Sequence, residues 1–116
     1  MENLKTIDSK ELKEWIDDGK DFVLIDVLSS LSFEGRHLPG AKNVNFQQPD
    51  FLKKVMDIVD DKDKPVVVYC SSFQCQLSPA AGSDLVEAGY KDVYHFAGGL
   101  ADWQDVGYDF EDAGDK

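Results

Sequence analysis

Two cysteines, Cys70 and Cys75, stand five positions apart and carry the least ordinary chemistry in this chain. Cys70 directly follows Pro65-Val66-Val67-Val68-Tyr69, the most strand-like run in the sequence. A polar segment from Cys70 to Leu77 then leads to Ser78-Pro79, a pair suited to capping and opening a helix. A thiol at such a junction meets the positive end of the helix dipole and the unpaired amides of the first turn. That field lowers a thiol pKa, and successive loop amides form a nest for an anion. These features describe a cysteine nucleophile at Cys70, with Ser71, Ser72, Phe73, Gln74, Cys75 and Gln76 as its anion-binding loop. The same position equally suits an inert, buried cysteine at a strand end, and position does not separate the two.

Cys75 adds a second thiol. A loop of this length can bring two α-carbons within the roughly 4.4–6.8 Å that a disulfide spans. Cys75 is therefore a candidate resolving thiol, able to attack a persulfide or sulfenic acid on Cys70. It also fits a small side chain packed at the far end of the loop. Two cysteines are too few for a disulfide scaffold, and neither His37 nor His95 has metal-ligand spacing to them, so no metal is expected. His37 opens the Leu38-Pro39-Gly40 turn and reads as a turn stabiliser, His95 reads as structural, and Trp15 and Trp103 sit at core-like spacings.

The elements that must position Cys70 follow from periodicity. Asp8-Ser9-Lys10-Glu11 resembles a capping box, after which Leu12, Trp15 and Ile16 share one helical face up to Gly19. Phe22 to Val27 is a short apolar run expected for a strand covered on both faces. Ala41 to Asn45 is a brief extended piece, and Phe51, Leu52, Val55, Met56 and Val59 repeat at helical spacing. The strand before Cys70 comes next, then a helix from Ser78 to Ala88 stopped by Gly89. Val93-Tyr94-His95 forms a short strand, Gly98-Gly99 a turn, and Leu100 to Gln104 a final short helix. Strands and helices alternate, which predicts an α/β fold with a parallel sheet and helices on both faces. In such sheets ligands bind at the carboxyl ends of the strands, where Cys70 lies.

The 116 residues make one domain, and 42% hydrophobic with 30% charged residues exclude a disordered or collagen-like chain. No apolar run approaches the roughly 18 residues a membrane span requires. The opening Met-Glu-Asn-Leu-Lys-Thr carries no apolar signal region, so a cytoplasmic address is expected. Twelve basic against 23 acidic residues give a net charge of −11, which disfavours nucleic acid and anionic membranes as partners. A monomer is expected. Asp102, Asp105, Asp109, Glu111, Asp112 and Asp115 crowd the end of the chain. The division expected is one domain over residues 1–105 and an acidic tail over 106–116, solvated or serving as a contact.

Taken in order, four pieces of the sequence resemble the rhodanese family of sulfurtransferases. Val66-Val67-Val68-Tyr69-Cys70 with its polar loop and helix resembles the family's active-site segment. Leu24-Ile25-Asp26-Val27, Phe33 and His37-Leu38-Pro39-Gly40-Ala41 resemble its amino-terminal signature. Ala88-Gly89-Tyr90 with Val93-Tyr94 resembles its later strand entry, and Gly98-Gly99 with Trp103 its closing segment. The likeness runs over about residues 5 to 105. It implies a five-stranded parallel sheet wrapped by helices, no metal or organic cofactor, and an Asp26 that holds the loop by hydrogen bonds. It also implies that Cys70 accepts sulfane sulfur as a persulfide from a small donor such as thiosulfate, or from a protein persulfide, and passes it to a thiophilic acceptor.

The loop departs from the family pattern of Cys, four residues, then Arg. Counting forward from Cys70 puts Cys75 in the Arg slot, and Ser71-Ser72-Phe73-Gln74 contains no glycine. Counting back from Ala88-Gly89-Tyr90 puts Leu77 there and makes the loop two residues longer than usual. Either count removes the guanidinium that clamps an anionic donor. Three functions follow: a sulfurtransferase centred on Cys70, a thiol–disulfide or oxyanion-reducing activity of the Cys70/Cys75 pair, and a non-catalytic binding module. Leu28 and Ser32 replace a family ion pair at both ends, and Arg36 stands where a glycine is usual.

Overall fold

The computed structural model describes residues 4–111. The chain runs β1 (Leu4–Thr6), α1 (Ser9–Asp17), β2 (Val23–Asp26), α2 (Ser30–Gly35), β3 (Lys42–Asn43), α3 (Phe51–Ile58), β4 (Val66–Tyr69), α4 (Leu77–Glu87), β5 (Val93–Phe96) and α5 (Gly99–Asp105). All five strands pair in parallel, in the order β1-β5-β4-β2-β3. The α/β class and the five-stranded parallel sheet are therefore as expected. No helix among the described residues is long and apolar enough to cross a membrane.

Pleating splits the core in two. Ile25, Val27, Val66, Val68, Cys70 and Val93 face Phe51 and Val55 of α3 and Ala81 and Leu85 of α4. Leu24, Val67, Tyr69 and Phe96 face Leu12 of α1 and Leu100 and Trp103 of α5. Successive side chains of a strand alternate faces, so an unbroken apolar run is what a strand covered on both sides requires. All four residues of β4 are buried accordingly. It is the central strand, and Cys70 emerges from its carboxyl end.

Two elements escape the sequence pattern. The edge strand β1 is short and mostly exposed, so Leu4-Lys5-Thr6 shows no apolar run. Helix α2 buries no residue and is held by its cap, Ser29 Oγ accepting the Ser32 amide at 3.2 Å. The capping box at α1 is half formed: Asp8 accepts the Glu11 amide at 2.8 Å, and no return bond from the Glu11 side chain occurs among the described residues.

The segment expected as a solvated tail is docked over its described part. His37 and Glu111 exchange both backbone hydrogen bonds at 2.8 Å in an antiparallel bridge. The Trp103 indole donates to the Asp109 carbonyl at 2.9 Å, and Tyr108 packs edge-on against Trp103 with ring centroids 4.8 Å apart. Arg36 lies 4.7 Å over the Phe110 ring and donates to Gln104, which accounts for an arginine in a slot that the family gives to glycine. Aromatic residues interleaved with the acids, Tyr108 and Phe110, decide this placement. Residues 112–116, with Asp112 and Asp115, lie outside the described residues.

Candidate active site

Cys70 is the first residue after β4, on the face that looks toward α4, and is 1% exposed. Its Sγ is bonded to Cys75 in a disulfide whose α-carbons are 6.4 Å apart. Cys75 is partly buried and is the more exposed residue of the pair. The Ser78 hydroxyl, itself buried, lies 3.3 Å from Cys70 Sγ. A disulfide sulfur carries no hydrogen, so Ser78 donates and the sulfur accepts.

Ser78 therefore does not cap α4, as its sequence context suggests. The helix opens at Leu77 with Gln76 as its N-cap, and no side-chain hydrogen bond caps it. Ser78 stands in the first turn and is turned inward against the sulfur. Burial inside the turn wins over capping because its hydroxyl has a partner there.

The loop from Ser71 to Gln76 is held by its carbonyls. The Leu100 amide donates to the Cys70 carbonyl at 3.1 Å, and the Ala101 amide donates to that of Ser71 at 2.8 Å. Within the loop, the Cys75 amide donates to the Ser72 carbonyl at 3.1 Å and the Gln74 amide to Ser72 Oγ at 3.3 Å. The amides of Ser71, Ser72, Phe73 and Gln76 have no partner among the described residues. A loop that spends its carbonyls on the scaffold and keeps amides free has the donor set of an anion cradle. Of the expected loop, Cys75 is bonded to Cys70, and none of the loop residues is basic.

The Phe73 side chain takes a different place. It is 68% exposed and lines a cavity of about 290 Å³ with Thr6, Ile7, Asp8, Phe96 and Asp102.

Gly99 is the supporting residue that the sequence reading passed over as part of a turn. Its φ is +61°, and a Cβ there would lie 2.4 Å from the Cys70 carbonyl oxygen and 2.9 Å from the Ser72 amide nitrogen. Only glycine allows the start of α5 to come this close to the loop backbone. The signal available beforehand was a Gly-Gly pair directly after a strand.

Asp26 lies on the other face of the sheet from Cys70, level with Tyr69 in the β2–β4 register. Its Oδ1 accepts the Leu28 amide at 2.9 Å, while its buried Oδ2 has no hydrogen-bond partner. Burial raises its carboxyl above the ordinary value, against the opposing pull of the Leu28 amide, the Tyr69 hydroxyl and His37. Tyr69 is likewise pushed far above the ordinary phenol value by burial first and Asp26 second. The Tyr69 hydroxyl accepts the Leu38 amide at 3.0 Å, tying β4 to the turn after α2. His37 Nδ1 lies 2.8 Å from the Phe33 carbonyl, and its ring stacks on Phe33. This network fixes the segment that follows β2, and none of it reaches the sulfur. His95 is half-buried on β5, opposite Val68, with its imidazole held below the usual value by burial. Among the described residues, the one side-chain hydrogen bond to Cys70 Sγ is that of the Ser78 hydroxyl.

A family model described as a rhodanese-like domain matches residues 8–106. The thiosulfate sulfurtransferase GlpE of Coxiella burnetii is 33% identical over 86 residues, covering 73% of this chain and 74% of that protein. The protein of the same description from Pseudomonas savastanoi pv. phaseolicola is 35% identical over 83 residues, covering 71% and 72%. The solution structure of the rhodanese-like domain from the Anabaena Alr3790 protein superposes with a TM-score of 0.79 at 25% identity, covering 97% of this chain and 80% of that one. With the sheet order, the cysteine at the end of the central strand and these likenesses together, the chain belongs to the rhodanese-like domain family.

Proposed function

We propose that the protein is a rhodanese-type sulfurtransferase in which reduced Cys70 takes sulfane sulfur from a donor such as thiosulfate. The observation that carries this reading is the placement of Cys70 at the carboxyl end of the central strand, with the Ser78 hydroxyl 3.3 Å from its sulfur and a following loop whose Ser71, Ser72, Phe73 and Gln76 amides have no partner among the described residues. The Cys70 thiolate attacks the outer sulfur of thiosulfate, a sulfur–sulfur bond breaks, and sulfite leaves with the electron pair. The Cys70 persulfide anion then rests against amides already fixed for negative charge. A thiophilic acceptor such as cyanide attacks the outer sulfur and releases the Cys70 thiolate. This cycle needs Cys70 reduced, which agrees with the reducing cytoplasm as its compartment. With no basic residue in the loop and a net charge of −11, the donors served include a protein persulfide as well as thiosulfate. The chain is taken to act as a monomer.

Sulfite release from reduced protein mixed with thiosulfate tests this reading directly. Wild type and Cys75→Ser release one sulfite per chain, and Cys70→Ser releases none. Absence of sulfite from wild type, with thiosulfate and with a persulfide donor alike, removes the assignment.

A further inference from the structure

We propose that Cys75 makes this sulfurtransferase its own first acceptor, so that a dithiol-coupled turnover releases the sulfur as hydrogen sulfide. This rests on the sulfurtransferase reading and adds to it the fate of the sulfur. The bond in the structure joins the two Sγ atoms, and the α-carbons stand 6.4 Å apart, inside the span that a disulfide requires. Cys75 lies in the loop that follows Cys70 and is bonded to it, and Cys70 is 1% exposed. A persulfide on Cys70 therefore has a thiol within bonding reach before any outside acceptor arrives.

The Cys75 thiolate attacks Cys70 Sγ, the inner sulfur of the persulfide. The bond between Cys70 Sγ and the outer sulfur breaks, and the outer sulfur leaves as hydrosulfide with the electron pair. The sulfane sulfur is reduced and the two cysteines are oxidised, with no outside oxidant. Over both steps, thiosulfate and two protein thiols become sulfite, hydrosulfide, one disulfide and a proton. A dithiol reductant resets the pair. Cys75 is the more exposed residue of the pair, so the reductant attacks there and Cys70 departs as the thiolate, beside the Ser78 hydroxyl. The exposure difference thus returns the nucleophile in its reactive form.

The test is a single turnover without oxygen. Protein is fully reduced, freed of reductant and mixed with excess thiosulfate, and sulfite, sulfide and protein mass are followed together. Wild type should release one sulfite and one sulfide per chain, and its mass should fall by two hydrogens. Cys75→Ser and Cys75→Ala should release sulfite, gain one sulfur atom and lose sulfide release by about a hundredfold. Added dithiothreitol should return oxidised wild type to two free thiols and permit a second round. A wild type that holds a stable persulfide, with Cys75 free and no sulfide formed, overturns the proposal and leaves the sulfurtransferase assignment standing. No sulfite from wild type or from either variant overturns both.

Discussion

Gly99 decides how closely the start of α5 approaches the backbone of Cys70, Ser71 and Ser72, although it has no side chain to offer. Any Cβ at this position meets backbone atoms of Cys70, Ser71 and Ser72 at under 3.0 Å, and φ of +61° adds strain for every other residue. Backbone cannot rotate aside as a flexible side chain can. Gly99→Ala should therefore cost about 2 kcal/mol or more of stability, with Cys70 displaced from the free amides. Thermal melting together with sulfite release checks this; unchanged melting and unchanged release would show that the close approach is dispensable. Asp26 poses the opposite problem, a group whose charge the fold disfavours. Its folded carboxyl is raised above 3.8 by burial, so between that value and its folded one the folded chain keeps a proton that the unfolded chain has released. Stability accordingly falls as pH rises through that window, and the loss persists at neutral pH. Asp26→Asn keeps an oxygen for the Leu28 amide and cannot ionise. It should melt higher than wild type at neutral pH, with the difference closing as pH falls toward 3.8. Melting curves across pH settle the sign, and a variant less stable at neutrality would mean that the carboxylate is net favourable.

Elements that announce themselves in the sequence are those with a strong period or a complete apolar run, and β4 is the clearest case. Its four buried residues and the cysteine after them were enough to place Cys70 at a strand-to-helix turn. Elements held by other means stayed silent: β1 is an exposed edge, and α2 buries nothing. The site was legible as a list of residues and less so as contacts. Ser78 reads as a cap and acts as a buried hydroxyl on the sulfur. Gly99 reads as a turn and acts as the floor under the loop. In both cases a contact across the fold overrides a local preference. The segment 108–111 is likewise held by contacts across the fold. Tyr108 and Phe110 pack on the core that holds Trp103, Asp109 accepts the Trp103 indole, and Glu111 bridges to His37. Deleting residues 108–116 should lower stability by about 3 kcal/mol through lost apolar burial and an orphaned buried indole N–H. Chemical denaturation gives the value, and a loss below about 0.5 kcal/mol would mark the segment as a passive cover.

At the scale of the whole molecule, charge acts where no single residue does. Acidic residues outnumber basic ones by 23 to 12, and the loop around Cys70 carries no cation to counter them. A dianionic donor therefore approaches against the protein's own field and, on arrival, finds amides rather than a guanidinium. Repulsion of this kind acts on the encounter and is screened over about 10 Å at 0.1 M salt. Raising ionic strength should consequently speed sulfite release from thiosulfate, most clearly in the second-order rate constant at low donor concentration. Site geometry is set by short backbone bonds that salt hardly touches, so single-turnover release at saturating donor should stay level. A donor protein that carries a persulfide on a basic surface should show the reverse dependence, because attraction is screened in the same way. Rates for thiosulfate that fall with salt would mean that a local positive potential at the loop outweighs the net charge, with the free amides as its source.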